Sequence, residues 1–156
     1  MSNILEKICE DKKIEIEHTK SKCSLNTLKK LISDKITKRS FKEALIQSNL
    51  TKDNFIIGEI KKASPSVGEI IDNYNPLEIS KIYERSGVKG ISVLTEQNYF
   101  KGNIDHLSLI KQNTNLPILR KDFIIDEYQI YESKVYQADA ILLIVTILRD
   151  DQLKKY

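Results

Sequence analysis

The chain has 156 residues and a mass of 18.0 kDa, enough for one domain with a sizeable core and too little for two. Its 40% apolar and 30% charged content and mean hydropathy of -0.36 fit a soluble globular protein and exclude disordered and membrane-spanning classes. The net charge of +3 comes from 25 basic and 22 acidic side chains mixed along the chain, an arrangement that argues against a nucleic-acid partner.

The lysine-rich N-terminal third reads as a solvated helix face. The start of the chain lacks the apolar core of a secretory signal, so the expected location is the cytoplasm. There Cys9 and Cys23, which follow no pattern, are expected to stay reduced. His18 and His106 lie far apart without other ligand types at metal spacing, and surface or helix-cap roles are expected for both.

After Ser2 and Asn3, the residues Ile4, Leu5, Ile8 and Cys9 recur at helical spacing and predict an amphipathic helix. Two more helices are predicted over 25–32 and 41–50, separated by a polar segment at 33–40. Residues 1–50 therefore read as a helical extension to the strand-helix region at 51–156. From Phe55 the pattern becomes strand, loop and helix in alternation. Strands are predicted at 55–60, 90–94, 116–119 and 140–145, the last continuously apolar as a strand covered on both faces should be. Helices are predicted at 77–86 after Pro76 and before Gly87, at 104–112, from the Asp126/Gln129 capping box to Tyr136, and from Asp150 onward.

Consecutive strand-helix units with short connections imply a parallel sheet with right-handed crossovers. Two architectures compete, a doubly wound open sheet and a piece of an eightfold barrel. No Gly-rich turn follows the first strand, so the dinucleotide fingerprint is absent. The charged residues gather at the C-terminal ends of the first and third strands, where barrel enzymes place their chemistry, and the barrel is the favoured reading.

The chemistry is carried by two strand ends. In FIIGEIKKASPS at 55–66, alternation sends Glu59 and Lys61 to one face and Lys62 to the other. In PILRKDF at 117–123 a second strand ends in Arg120 and Lys121. Buried charges without a purpose are costly. Lysines delivered beside a carboxylate point to an anionic, phosphorylated substrate and to acid/base chemistry. Alternate barrel strands feed the same interior layers, so Lys61 and Lys121 are expected to approach each other.

Four segments carry a family resemblance: EIKKASPS at 59–66, SVLTEQNYFKG at 92–102, LRKDFIIDEYQI at 119–130 and ADAILLIVTIL at 138–148. With the opening ILEKICEDKKIEIE, the chain resembles indole-3-glycerol phosphate synthase over essentially its whole length. The resemblance implies a TIM (β/α)8 barrel with an N-terminal helical extension, of which only the first four βα units are present. It also implies a carboxy-lyase of tryptophan biosynthesis that uses no cofactor or metal. Such an enzyme converts 1-(2-carboxyphenylamino)-1-deoxyribulose 5-phosphate to indole-3-glycerol phosphate, carbon dioxide and water.

By the same resemblance Lys121 matches the general acid, Lys61 a lysine contacting the substrate's anionic groups, and Glu59 an active-site carboxylate that holds both lysines. Ser64 and Ser66 match the loop beside the substrate phosphate, and Phe100 and Phe123 match aromatics lining the anthranilate pocket. Each position has a plainer reading. Glu59 and Lys61 could form an interior ion pair, Lys121 and Asp122 a surface turn, Ser64 to Ser66 a simple turn, and the phenylalanines part of the core.

The chain departs from the family in three places. An eightfold barrel needs about 250 residues, so the later strands, a general-base glutamate on the fifth strand and late Gly-rich phosphate loops are expected to be missing. The open half-barrel edges would then favour self-association. Val67 stands where many relatives carry lysine, and Gln137 where a glycine helix stop is usual. Alternatives to the enzyme are a half barrel that binds phosphorylated ligands without turnover, and a degenerate product.

Overall fold

The computed structural model describes residues 4–32 and 39–156. Positions 33–38 of the expected polar separator, and Ser2 and Asn3, lie outside the described residues. Among the described residues no helix is long and apolar enough to cross a membrane.

Helix α1 (Ile4–Lys22) buries Ile8, Lys12 and Ile16, one residue per turn along a single face. Helix α2 (Leu25–Leu31) is capped by Ser24, whose hydroxyl accepts the Thr27 N–H at 3.2 Å. Helix α3 (Phe41–Thr51) is capped in the same way by Ser40 and ends at Lys52 in the left-handed conformation.

Four strands, β1 (Ile57–Ile60), β4 (Gly90–Leu94), β5 (Ile118–Lys121) and β6 (Ala140–Ile141), form a parallel sheet in that order. Strand order follows chain order, without the reversal that defines a doubly wound sheet. Helices α4 (Pro76–Arg85), α5 (Asp105–Asn113) and α6 (Glu127–Val135) link successive strands, and α7 (Asp150–Lys155) follows the last. The starts of α4 and α6 are chemically marked. Asn75 accepts the Leu77 and Glu78 N–H groups, and the Asp126/Gln129 capping box is complete. Ile60, Ile91, Val93, Leu107, Ile110 and Ile118 form the main core, with Tyr83 and Tyr136 packed against it.

Several boundaries differ from expectation. The first strand begins at Ile57, and the third is displaced to Ile118–Lys121, since Pro117 has no N–H to donate and offers its carbonyl to Ile91 at 3.0 Å. A short antiparallel hairpin, β2 (Ala63–Ser64) with β3 (Gly68–Glu69), interrupts what reads in sequence as a loop. The expected strand over 140–145 pairs only at Ala140–Ile141 before a 3-10 turn at Val145–Ile147. Ala140 and Ile141 are only partly buried, so the strand is not fully covered on both faces, and Val145 is exposed.

The first residues of the strands are tied by a polar knot. Lys111 pairs with Asp139, both buried, and Asp139 also accepts the Ile118 and Arg39 N–H groups at 2.9 and 3.0 Å. The opposite ends of the strands are thereby left for the charged residues described next.

Candidate active site

Glu59 is the third residue of β1, and its backbone is held from outside the sheet. Tyr83 of α4 donates its hydroxyl to the Glu59 carbonyl at 2.9 Å. The ring lies so close to Gly58 that a Cβ there would meet Tyr83 Cδ2 at 2.5 Å, which makes glycine the residue this approach allows. Lys61 Nζ lies 2.7 Å from Glu59 Oε1, and Lys121 Nζ donates to Glu59 Oε2. β1 and β5 are alternate strands, separated by β4, so the two ammonium groups arrive from different elements. All three side chains are half-buried. Burial pushes the Glu59 carboxyl up, but the hydrogen bonds and charges of Lys121 and Lys61 outweigh it and hold the group below the usual glutamate range. The cluster is one carboxylate between two ammonium groups, with positive charge to spare for an anion.

The flanking segments are organised by residues that sequence reasoning did not single out. Glu96, buried just past β4, accepts the N–H groups of Asn98 at 3.0 Å, Tyr99 at 2.7 Å and Phe100 at 3.0 Å. Gly102 closes this turn by donating to the Glu96 carbonyl at 2.7 Å. The turn presents Phe100, whose ring centroid lies 6.1 Å from that of Phe123. The Phe100 carbonyl in turn accepts the Ala63 N–H at 3.2 Å, which ties this segment to the one that carries Lys61.

Behind Lys121, the Arg120 guanidinium is buried against Asp122 Oδ2 at 3.1 Å, Glu132 Oε2 at 2.8 Å and Thr95 Oγ1 at 3.1 Å. Asp122 also meets Lys12 from α1 at 3.1 Å. Burial pushes the Asp122 carboxyl up, but Arg120 and Lys12 more than offset this and keep it ionised. The one signal in the sequence was a charge of each sign flanking Lys121.

Ser64 and Ser66 face each other across the tip of the β2–β3 hairpin, their hydroxyls 3.4 Å apart, and Val67 beside them is exposed. Neither serine joins the Glu59 cluster through a hydrogen bond. His18 is exposed, whereas His106 departs from the surface role expected of it. Its ring leans on Tyr74 with centroids 5.8 Å apart, and its Nδ1 is buried without a hydrogen-bond partner among the described residues. Cys9 and Cys23 are free thiols. A cleft of about 730 Å³ runs between α1 and residues 146–152, and its lining includes none of the clustered side chains.

A family model for indole-3-glycerol phosphate synthase matches residues 5–156. The chain belongs to that family. It is 47% identical over 148 residues to an indole-3-glycerol phosphate synthase of Clostridium acetobutylicum, covering 94% of this chain and 55% of the relative. Similar proteins of the same description occur in Acetivibrio thermocellus, 47% identical over 156 residues, and Legionella pneumophila, 48% identical over 156 residues. These alignments cover 98% and 100% of this chain and 58% of each relative. The chain thus spans a little over half the length of the curated relatives it matches.

Proposed function

We propose that this chain contributes the acid half of an indole-3-glycerol phosphate synthase active site, and that residues 51–156 are the first half of a (β/α)8 barrel preceded by a helical extension at 1–50. The observation that carries the reading is the convergence of Lys61 and Lys121 on Glu59 from alternate strands. In the reaction an aromatic carbon of the substrate attacks the ketone carbon, and the bond to the carboxylate breaks to release carbon dioxide. The ketone oxygen takes up one proton to become a hydroxyl and a second as it departs as water, while the neighbouring CH2 carbon gives up a proton to form the indole double bond. Lys121 is assigned as the donor of the first proton. Lys61 holds an anionic group of the substrate, and Glu59 keeps both ammonium groups oriented.

Phe100 and Phe123 supply flat faces for the anthranilate ring. Ser64 and Ser66, at a hairpin tip with free donor capacity, are assigned to the phosphate. The substrate is thus a phosphorylated small molecule and the setting a cytoplasmic biosynthetic one.

The test is Lys121→Ala in the full-length gene product, assayed by formation of indole-3-glycerol phosphate. Turnover is expected to fall at least about 100-fold, the lower end of what a positioned proton donor contributes, with substrate binding largely retained. Near-normal turnover in that variant would remove Lys121 from the role.

A further inference from the structure

Helix α1 reaches both aromatic-bearing segments of the site through two consecutive side chains. Lys12 is 1% exposed, and its ammonium lies 3.1 Å from Asp122 Oδ1 and 2.9 Å from Glu15 Oε2. The same Asp122 Oδ1 accepts the Phe123 N–H at 2.8 Å, while Oδ2 accepts from Thr95 Oγ1 at 2.5 Å and from Arg120. This carboxylate therefore joins α1 to the turn that directly follows Lys121, through the Phe123 N–H, and to the ends of β4 and β5, through Thr95 and Arg120. One position earlier, Asp11 Oδ2 accepts the Tyr99 hydroxyl at 2.5 Å, next to Phe100. Consecutive helical side chains diverge by about 100°, so Asp11 and Lys12 grip two different segments from one turn of helix.

The docking of α1 does not depend on these two groups alone. Ile16 packs with Leu28 and Tyr128, Lys20 pairs with Asp126 at 2.8 Å, and the Tyr128 hydroxyl donates to the Cys23 carbonyl at 2.9 Å. Nor is a buried ion pair a strong stabiliser, since apolar replacements of such pairs are often neutral or better. What it adds is direction: an ammonium in a closed cage of carboxylates tolerates few geometries.

We propose that Asp11 and Lys12 are positioning residues, through which α1 clamps the Lys121–Phe123 turn on one side and the Tyr99–Phe100 segment on the other. The clamp fixes the direction from which Lys121 meets Glu59. Its functional meaning rests on the assignment of Lys121 as proton donor, but its geometry can be read without substrate.

The experiment compares Lys12→Met, Lys12→Arg and Asp11→Ala with the parent protein, by amide hydrogen exchange and by the rate at which a small amine-reactive acylating reagent labels Lys121. In Lys12→Met, exchange at Phe123 and labelling of Lys121 are expected to rise about tenfold, equivalent to about 1.4 kcal/mol. The amide of Tyr136, which donates to the Glu132 carbonyl at the end of α6, keeps its protection, and Lys12→Arg returns most of the way to the parent rates. Asp11→Ala raises exchange at Phe100 and leaves Phe123 unchanged. Unaltered Lys121 labelling in Lys12→Met, or a uniform rise across all amides, would overturn the clamp. Lys121→Ala turnover reports separately on the proton donor, so either idea can fail while the other stands.

Discussion

Arg120 and Lys121 are consecutive on β5 and have opposite surroundings. The Arg120 side chain is 3% exposed and donates to Thr95, Asp122, Glu132, Ser133 and the Gln129 carbonyl, whereas Lys121 is 39% exposed and turned to Glu59. A strand sends neighbouring side chains to opposite faces, so one short segment carries an interior anchor and a site ammonium together. Arg120→Met is expected to cost about 3–5 kcal/mol, because Asp122 and Glu132 lose their buried partner. Lys121→Met should stay within about 1 kcal/mol of the parent, as a half-exposed pair contributes little. Urea midpoints of the two variants make the comparison, and equal losses would contradict it.

Glu96 offers a second test, since three backbone donors depend on one carboxylate. Glu96→Ala is expected to destabilise the protein by about 1–3 kcal/mol through donors left unmatched. Hydrogen exchange should quicken at Asn98, Tyr99 and Phe100 while the amides of β4 keep their protection. If those three amides exchange at the parent rate, the carboxylate is not what holds the turn.

His106 makes stability depend on pH. Burial lowers its pKa below the usual 6.5, and the charge of Asp105 offsets this only in part. The folded protein therefore binds fewer protons at this site than the unfolded chain, and its contribution is fully present above pH 6.5. That contribution is lost as pH falls from there through the lower folded value. His106→Phe keeps a ring against Tyr74 without the titrating nitrogen. Its stability, relative to the parent, should improve on moving from pH 7.5 to pH 5.5, measured by urea unfolding at both. A pH-independent difference would show that the imidazole titrates with the same pKa in the folded and unfolded states.

Gln137 has φ +68 and follows α6, where its N–H and that of Ala138 return to the carbonyls of Lys134 and Ser133 at 3.1 and 2.9 Å. This is the left-handed stop that glycine fills without strain. Gln137→Gly is expected to raise stability by about 1 kcal/mol, the relief of a non-glycine left-handed residue less the added freedom of the unfolded chain. A lower melting temperature would mean that the glutamine side chain contributes more than its backbone costs.

How far the sequence carried these conclusions depended on the range of each interaction. The β4 strand at Gly90–Leu94, the helix stop at Gly87 and the Asp126/Gln129 capping box were legible because each is decided within a few residues. The approach of Lys61 and Lys121 followed from strand alternation combined with the barrel reading. The β2–β3 hairpin was not legible, since two-residue strands carry no periodicity. Lys12 looked like one more lysine on a solvated face, and its burial depends on a carboxylate brought to it by the fold. Glu96 lay inside a quoted motif, yet the amides it serves become visible only when the turn closes around it.

The pairing of Lys12 with Asp122 also sets an order of events during synthesis. Helix α1 leaves the ribosome early, but the carboxylate that accepts its ammonium is made roughly 110 residues later, on the order of ten seconds at ordinary elongation rates. Over that interval the face bearing Ile8 and Ile16 has no completed surface to cover it. The nascent chain must therefore carry an amphipathic helix in waiting, and the α1–β5 junction closes only once the polypeptide has passed its third parallel strand.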